Sequence, residues 1–133
     1  MTDIILSIHP KWAEKIYSRE KIFEVRKTEL DWFSNDPDRR PLIYLYETSP
    51  IKKITGFVFL HWIYGVDKED IMHPPANLVN GSCLSQEELI KYSSGKDLYF
   101  WQLKDPYKFD TPQDIKGSVP QSWRYLREGE RYD

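Results

Sequence analysis

Five segments of the chain are rich in β-branched and aromatic residues, a composition that is typical of strands. Successive side chains of a strand point to opposite faces of a sheet. The alternation is clearest in the second segment, where Phe23 and Val25 occupy one predicted face and Glu24 and Arg26 the other. The predicted strands span residues 3–9, 21–27, 41–46, 54–66 and 96–104, and Gly56 is expected to form a bulge or a close backbone approach.

Residues 10–18 change to the three-to-four-residue spacing of an amphipathic helix. This spacing places Trp12, Ala13 and Ile16 on one face, with mostly polar residues on the other. Pro10 fits the first helical position, because a helix does not use the N–H group that proline lacks there. The pattern therefore predicts a short helix directly after the first strand.

A second helix is predicted to begin at Ser85. Ser85 and Glu88 have the spacing of a capping box, in which each side chain satisfies a backbone N–H group of the first turn. Gly95 is expected to end this helix. The preceding residues 68–81 contain two adjacent prolines, and we expect them to be irregular.

The remaining segments read as connections. Residues 30–40 have the composition of a loop, and residues 47–53 that of a turn. The tail, residues 106–133, is expected to wrap around the strands and to form a short helical turn after Pro120. Strands dominate but helices are present, so the predicted class is α+β: a single domain over residues 1–133, built as a small β-barrel with two or three short flanking helices.

Composition narrows the class of ligand. The formal net charge is −2, whereas proteins that coat long nucleic acids are usually basic, because phosphate neutralisation supplies their affinity. A small, locally basic cleft remains compatible with this charge. The single cysteine, Cys83, excludes an intramolecular disulfide and fits a cytoplasmic location. The longest apolar run is interrupted by polar residues and glycines and is too short to span a bilayer, so we expect no membrane contact.

Lys21, Glu24 and Arg26 form the polar cluster with the clearest chemistry. On a strand, Glu24 and Arg26 project side by side from one face, and Lys21 stands at its beginning. A guanidinium group donates parallel hydrogen bonds to an anion, and a carboxylate accepts from the amino group of a heterocycle. The cluster therefore predicts a site for a nucleotide-like ligand. The competing interpretation is an exposed Glu–Arg pair that adds little to stability.

Three further segments contribute candidates. At the junction of the first strand and the first helix, free N–H groups attract anions, although His9 itself is better explained as a helix cap. The end of the third strand combines Tyr46 and Thr48 in a segment that also reads as a turn. The tail carries side chains that can read bases, whereas Trp123 is better explained by packing. The candidates for ligand binding are Ser7, His9, Lys21, Glu24, Arg26, Thr48, Gln121 and Ser122.

Metal and cofactor motifs are not found in the sequence. The histidines and carboxylates show no H-E-x-x-H or comparable ligand spacing. The six glycines are scattered and form neither a phosphate-binding loop nor a G-x-G-x-x-G motif. We therefore expect neither a metal site nor a cofactor.

Several segments resemble the ASCH family, a branch of the PUA-like fold. They are residues 5–16 (ILSIHPKWAEKI), residues 21–27 (KIFEVRK), residues 43–50, residues 54–56 and the closing Pro120-Gln121-Ser122. The resemblance covers most of the chain. It implies a small β-barrel with a cleft between the first helix and neighbouring strands, and the binding of RNA or of modified nucleosides.

The resemblance also implies two possible reactions. One bacterial branch is similar to an amidohydrolase that acts on acetylated cytidine through a lysine, a threonine and a glutamate. Lys21 matches the lysine, but Glu24 stands at the threonine position, and a carboxylate cannot serve as the same hydroxyl nucleophile. Another branch is associated with RNA cleavage, for which Lys21, Glu24 and Tyr46 are the candidate general acid and base groups.

Three functional classes follow. The first is a binding domain that recognises an RNA end, a modified base or a nucleotide. The second is a ribonuclease or modified-nucleoside amidohydrolase that uses Lys21 and Glu24. The third is a protein-interaction or regulatory domain, and the oligomeric state is left open. A catalytic lysine should line the cleft, lie near a carboxylate or hydroxyl and have a lowered pKa, whereas an exposed, unpaired Lys21 would favour the other classes.

Overall fold

The computed structural model describes residues 3–30 and 40–133. The predicted loop at residues 30–40 therefore lies almost wholly outside the described residues. The helices and strands of the described part are, in chain order, β1 (Ile4–Ile8), α1 (Pro10–Tyr17), β2 (Phe23–Arg26), β3 (Leu42–Glu47), β4 (Lys53–Val66), α2 (Ala76–Ser82), α3 (Gln86–Ser93), β5 (Leu98–Gln113) and β6 (Trp123–Tyr125).

The strands form one mixed sheet with the order β2-β5-β4-β3-β1-β6. β1 and β3 are parallel, and the other neighbouring pairs are antiparallel. The sheet curls into a half-barrel that carries three short helices among the described residues, which confirms the predicted α+β class. Since β2 and β6 are the two edge strands, the curling brings both ends of the sheet toward each other.

β1 is buried on both faces, because each face is covered by a different part of the chain. Ile4, Leu6 and Ile8 pack in one apolar cluster together with Ala13 and Ile16 of α1. The opposite face of β1 belongs to a second cluster, which includes residues of β3, β4, β5 and the C-terminal segment. A strand that is covered on both sides has a nearly continuous apolar sequence, and in β1 only Ser7 interrupts the run.

Arg26 joins the two edges of the curled sheet. It lies at the end of edge strand β2, and its Nη1 donates a 3.0 Å hydrogen bond to the hydroxyl of Ser122, which directly precedes edge strand β6. Its Nη2 donates to the backbone oxygen of Ser7 in β1, at 3.1 Å. Nearby, the indole N–H of Trp123 donates to the hydroxyl of Thr28 at 3.3 Å. We call this group of contacts the seam.

Gly56 marks a close approach between β4 and β5, as the sequence predicted. The β-ladder shifts its register between Ile54 and Gly56. A Cβ atom at Gly56 would lie 2.1 Å from the backbone oxygen of Tyr107 and 2.7 Å from the hydroxyl of Tyr17. By contrast, the nearest atom to a Cβ at Gly65 of the same strand would be 3.6 Å away, an ordinary contact.

The expectation that residues 68–81 are irregular is wrong, because α2 spans Ala76–Ser82. The two prolines stand before the helix, and Pro75 is its N-cap. A proline at that position costs the helix no hydrogen bond, since N–H groups of the first turn have no partner within the helix. The prolines therefore delay the start of a helix and do not prevent it.

Two expectations for the C-terminal third are also wrong. The fifth strand does not end at residue 104 but continues as β5 to Gln113. Asp105 adopts a left-handed conformation, and β4–β5 pairing shifts register there, so that Pro106 falls in a bulge where its missing N–H is not needed. The segment after Pro120 forms β6 and not a helical turn, because it pairs with the backbone of β1.

The C-terminal segment is held by Glu130, which is buried. Arg124 donates to both carboxylate oxygens at 2.9 and 3.0 Å, and the backbone N–H of Arg127 and the hydroxyl of Tyr132 also donate to this group. Burial by itself raises the pKa of Glu130, but these hydrogen bonds outweigh it and lower the pKa to about 2. Within the described residues, no helix has the length and apolar character needed to cross a membrane.

Candidate functional site

A cavity of about 750 Å³ lies between α1, β2 and α3. This volume falls in the range of small-molecule sites, about 300–1,000 Å³. The predicted cleft beside the first helix therefore has a third wall, α3, that the sequence did not indicate. The cavity is lined by Trp12, Lys21, Glu24, Val25, Arg26, Lys27, Leu84, Glu88, Lys91, Tyr92 and Ser94.

Lys21 is brought to this cavity by the turn that follows α1. Arg19 adopts a left-handed conformation with φ of 70°, which reverses the chain at the end of the helix. The backbone N–H of Lys21 then donates to the oxygen of Lys15 at 3.0 Å. The next N–H, that of Ile22, donates to the oxygen of Gly81 at 2.8 Å, which fixes the end of α2 beside β2. Lys21 therefore precedes the strand, since β2 begins only at Phe23.

The side chain of Lys21 is only 2% exposed. Its Nζ donates a 2.6 Å hydrogen bond to the backbone oxygen of Ser82, lies 3.6 Å from Oε1 of Glu24 and stands over the ring of Trp12 at 4.9 Å from the centroid. Burial lowers the pKa of Lys21 below its usual 10.5, and the charge of Glu24 opposes that shift. The structure therefore holds an amine that loses its proton more readily than an exposed lysine.

Glu24 is shared between two cations. Its Oε2 accepts from Nε and Nη2 of Arg26 at 3.0 and 2.6 Å, whereas its Oε1 faces Lys21. The side chains of Glu24 and Arg26 are 8% and 16% exposed, so the interpretation as an exposed surface pair is wrong. The pair is buried because the helices cover one side of β2 and the seam covers its end, and neither contact is local in sequence.

Two aromatic rings stand in the cavity wall, each beside a lysine. Nζ of Lys11 lies 4.7 Å from the ring centroid of Trp12, and Nζ of Lys27 lies 4.8 Å from that of Tyr92. Such cation–π contacts orient the ring and keep positive charge near its face. Four cations line the cavity against two carboxylates: Lys21, Arg26, Lys27 and Lys91 against Glu24 and Glu88. The protein as a whole is acidic, yet this cavity is locally basic.

Ser7, Ser122 and His9 lie outside the cavity lining and support the elements around it. The hydroxyl of Ser7 donates to the oxygen of Pro120 at 2.6 Å, and that of Ser122 accepts from Arg26, so both belong to the seam. His9 is the N-cap of α1, where its Nδ1 accepts from the N–H of Lys11, in agreement with the cap interpretation.

Tyr46, Thr48 and Gln121 are not among the residues that line the cavity. Tyr46 is buried in the cluster with Ile5 and Tyr44. Thr48 lies in the turn after β3, where its N–H donates to the oxygen of Ile8, and the side chain of Gln121 is exposed. Of the three candidate acid and base residues, the structure therefore brings together Lys21 and Glu24 only.

The sequence did not indicate several of the groups that form or support this cavity. Trp12 was assigned to the core-facing side of its helix, and Tyr92 to the apolar contacts of α3. Both roles are compatible with the lining position, because amphipathic side chains present one face to the core and another to a cleft. The carbonyl of Ser82 and the ammonium groups of Lys27 and Lys91 reach the site only through tertiary packing.

The arrangement can hold an anionic, planar molecule and can hold or release a proton at Nζ of Lys21. Within residues 3–30 and 40–133, no group of three or more His, Cys, Asp and Glu side chains is placed to hold a metal ion.

The curled mixed sheet, with three short helices among the described residues, matches the fold of ASCH domains, which is of the PUA-like type. The chain is similar to the crystal structure of an ASCH protein from Zymomonas mobilis, with a TM-score of 0.75 and 23% sequence identity over 96% of this chain and 89% of that chain. A tyrosine-to-phenylalanine variant of that protein gives a TM-score of 0.73 at 22% identity, over 96% and 92% of the two chains. A serine-to-alanine variant gives the same TM-score and identity, over 96% and 89%.

No family model and no curated protein sequence matches this chain. The similarity to solved structures confirms the expected fold at low sequence identity.

Proposed function

We propose that the chain binds an RNA end, a modified base or a nucleotide in the cavity between α1, β2 and α3. The observation that carries this proposal is the local excess of cations around two aromatic rings in a protein of net charge −2. Proteins that bind single-stranded nucleic acids combine positive charge for the phosphates with aromatic rings for the bases.

The rings of Trp12 and Tyr92 are the proposed contacts for the base of the ligand. The side chain of Tyr92 is 39% exposed, so its ring has area to offer to a planar ligand. Stacking of a base on an aromatic side chain contributes about 1–3 kcal/mol. Glu24 also lines the cavity, and its Oε2 already accepts twice from Arg26. An exocyclic amino group is therefore expected to donate to Oε1, beside Lys21 and the backbone N–H of Val25.

The ammonium groups of Lys27 and Lys91 are the proposed contacts for the phosphate of the ligand. Both side chains belong to exposed residues that line the cavity. Arg26, by contrast, already donates to Glu24, Ser7 and Ser122. Its replacement would open the seam as well as change the cavity, so a loss of binding in an Arg26 variant would not separate recognition from folding.

Isothermal titration with the four ribonucleoside 5′-monophosphates and with short single-stranded RNAs tests the proposal. We expect Tyr92→Ala and Lys91→Ala each to weaken binding about tenfold, which corresponds to about 1.4 kcal/mol. Tyr107→Ala and Lys52→Ala are matched controls, because both residues are exposed and lie outside the cavity. Equal affinities in the two sets of variants, or no binding to the wild-type protein, would contradict the proposal, and the latter would favour a protein-interaction domain.

A second candidate function is hydrolysis, and the environment of Lys21 favours it. Lys21 lines the cavity, lies near the carboxylate of Glu24 and has a lowered pKa because it is buried. These are the three conditions for a lysine that acts as a general base or nucleophile. The substrate would be an acylated nucleoside or single-stranded RNA.

Turnover assays with acetylated cytidine and single-stranded RNA test this second function. We expect product formation by the wild-type protein and its loss in Lys21→Met, and we expect Lys15→Met, outside the cavity, to retain activity. The wild-type rate should rise with pH toward the lowered pKa of Lys21, since only the neutral amine can accept a proton or attack. If the wild-type protein gives no product, or if Lys21→Met is fully active, lysine catalysis is ruled out.

A further inference from the structure

A second, smaller cavity of about 310 Å³ adjoins the proposed ligand site. It is lined by Lys27, Lys68, Gly95, Lys96, Asp97 and Tyr99. Lys27 lines both cavities, and the neighbouring residues Ser94 and Gly95 line one each. The two cavities therefore meet at Lys27 on one side and at the end of α3 on the other.

The sheet topology brings the lysines of this second cavity together. β2 and β5 are antiparallel, and Arg26 pairs with Tyr99, so the end of β2 lies beside the beginning of β5. β4 ends at the same place, because Val66 pairs with Leu98. Lys27, Lys68 and Lys96 lie next to these strand ends, although the chain separates them by up to 69 positions. A single sheet end thus collects three cations from three segments.

Among the described residues that line the second cavity, Asp97 alone carries a carboxylate, and one of its oxygens already accepts a backbone hydrogen bond. Oδ1 of Asp97 accepts from the backbone N–H of Lys68 at 2.7 Å. In the part of the chain that the structure describes, no carboxylate oxygen lies within 4.0 Å of the ammonium groups of Lys27, Lys68 or Lys96. In this described part, the cavity therefore holds three ammonium groups against one carboxylate, none of them in an ion pair, and such a local excess of cations is suited to a phosphate.

We propose that the second cavity is a phosphate subsite, and that the ligand is an oligonucleotide of at least two residues. Its first nucleotide occupies the larger cavity, with the base beside Tyr92 and its own phosphate at Lys91. The next phosphate along the strand passes Lys27 to reach Lys68 and Lys96. This inference rests on the proposed binding function and specifies its ligand: a short single-stranded segment binds better than a free nucleotide. A free mononucleotide fills the first cavity alone and gains nothing from Lys68 or Lys96.

Titrations that compare each ribonucleoside 5′-monophosphate with the trinucleotide of the same base test the inference. We expect the trinucleotide to bind at least tenfold more tightly to the wild-type protein. The double variant Lys68→Ala/Lys96→Ala should lose most of that gain and leave the mononucleotide affinity within twofold. Lys52→Ala/Lys108→Ala is the control, because both lysines are exposed and neither lines the two cavities.

Salt dependence gives a second readout. The slope of log K against log salt concentration for the trinucleotide should fall in magnitude by about 0.7 for each phosphate contact that is lost. Equal affinity for the two ligands, or equal weakening of both by the double variant, would overturn the phosphate subsite and leave the proposed function standing. Failure of both ligands to bind the wild-type protein would overturn the proposed function and the inference together.

Discussion

Replacing Glu24 by Gln should destabilise the protein far more than replacing Lys21 by Met. Glu24 is the carboxylate partner of two buried cations, with 2.6 Å to Nη2 of Arg26 and 3.6 Å to Nζ of Lys21. Its neutralisation leaves both cations buried without a carboxylate, and breaking a buried pair costs about 3–5 kcal/mol. Removal of Lys21 leaves Glu24 paired with Arg26, and only the backbone oxygen of Ser82 loses its hydrogen-bond donor. An unsatisfied buried oxygen costs about 1–3 kcal/mol. Part of this cost is offset, because an ammonium group no longer has to be buried.

Urea denaturation followed by tryptophan fluorescence measures the difference. We expect Glu24→Gln to lower the free energy of unfolding by about 3–5 kcal/mol and Lys21→Met by about 1–2 kcal/mol. Glu14→Gln, on the exposed side of α1, is the control and should lie within about 0.5 kcal/mol of the wild type. A Lys21→Met protein that is as unstable as Glu24→Gln would refute the view that Glu24 organises the cluster.

The pH dependence provides an independent test of the same cluster. The pKa of Lys21 is lower in the folded protein than in the unfolded chain, where it is about 10.5. Between these two values the unfolded chain binds more protons, so stability rises with pH in that window. The stability of the wild type relative to Lys21→Met should therefore increase as the pH is raised toward 10.5. A constant difference would show that burial does not disfavour the ammonium form.

Two further predictions concern the scaffold. Gly56→Ala should destabilise the protein by about 3 kcal/mol or prevent folding, because its Cβ would lie 2.1 Å from a backbone oxygen. Gly65→Ala should be tolerated, and the thermal unfolding temperatures of the two variants test this difference. Glu130→Gln should lower the free energy of unfolding by about 3 kcal/mol at pH 7, because the pKa of the Glu130 carboxylate is about 2 in the folded protein and 4.5 ordinarily. The difference in stability between the variant and the wild type should shrink as the pH falls from 4.5 toward 2. Glu128→Gln, at an exposed position, should show neither effect.

Local patterns predicted the elements whose formation depends on neighbours in the chain. The capping box at Ser85 is present as predicted, and Pro10 begins α1. The predicted close approach at Gly56 is confirmed. Each of these features depends on backbone hydrogen bonds or steric limits that a few consecutive residues determine.

The secondary structure predicted from the sequence was wrong where a segment pairs with a distant strand. The backbone after Pro120 became β6 because β1, more than one hundred residues earlier, offers it a partner. β5 continues beyond Pro106 because its residues after the bulge pair again with β4. Neither partner can be read from the local pattern, because β pairing joins residues at any separation.

For the candidate site, the sequence by itself determined the chemical groups: an amine, a carboxylate and a guanidinium at Lys21, Glu24 and Arg26. Only the tertiary structure decided that these groups are buried, because the seam and the packing of α1, α2 and α3 against β2 bring together segments from the whole chain. Burial is what lowers the pKa of Lys21 and turns a surface ion pair into a cavity wall. The dielectric surroundings of a charge depend on everything that packs around it, and a linear pattern does not contain that information.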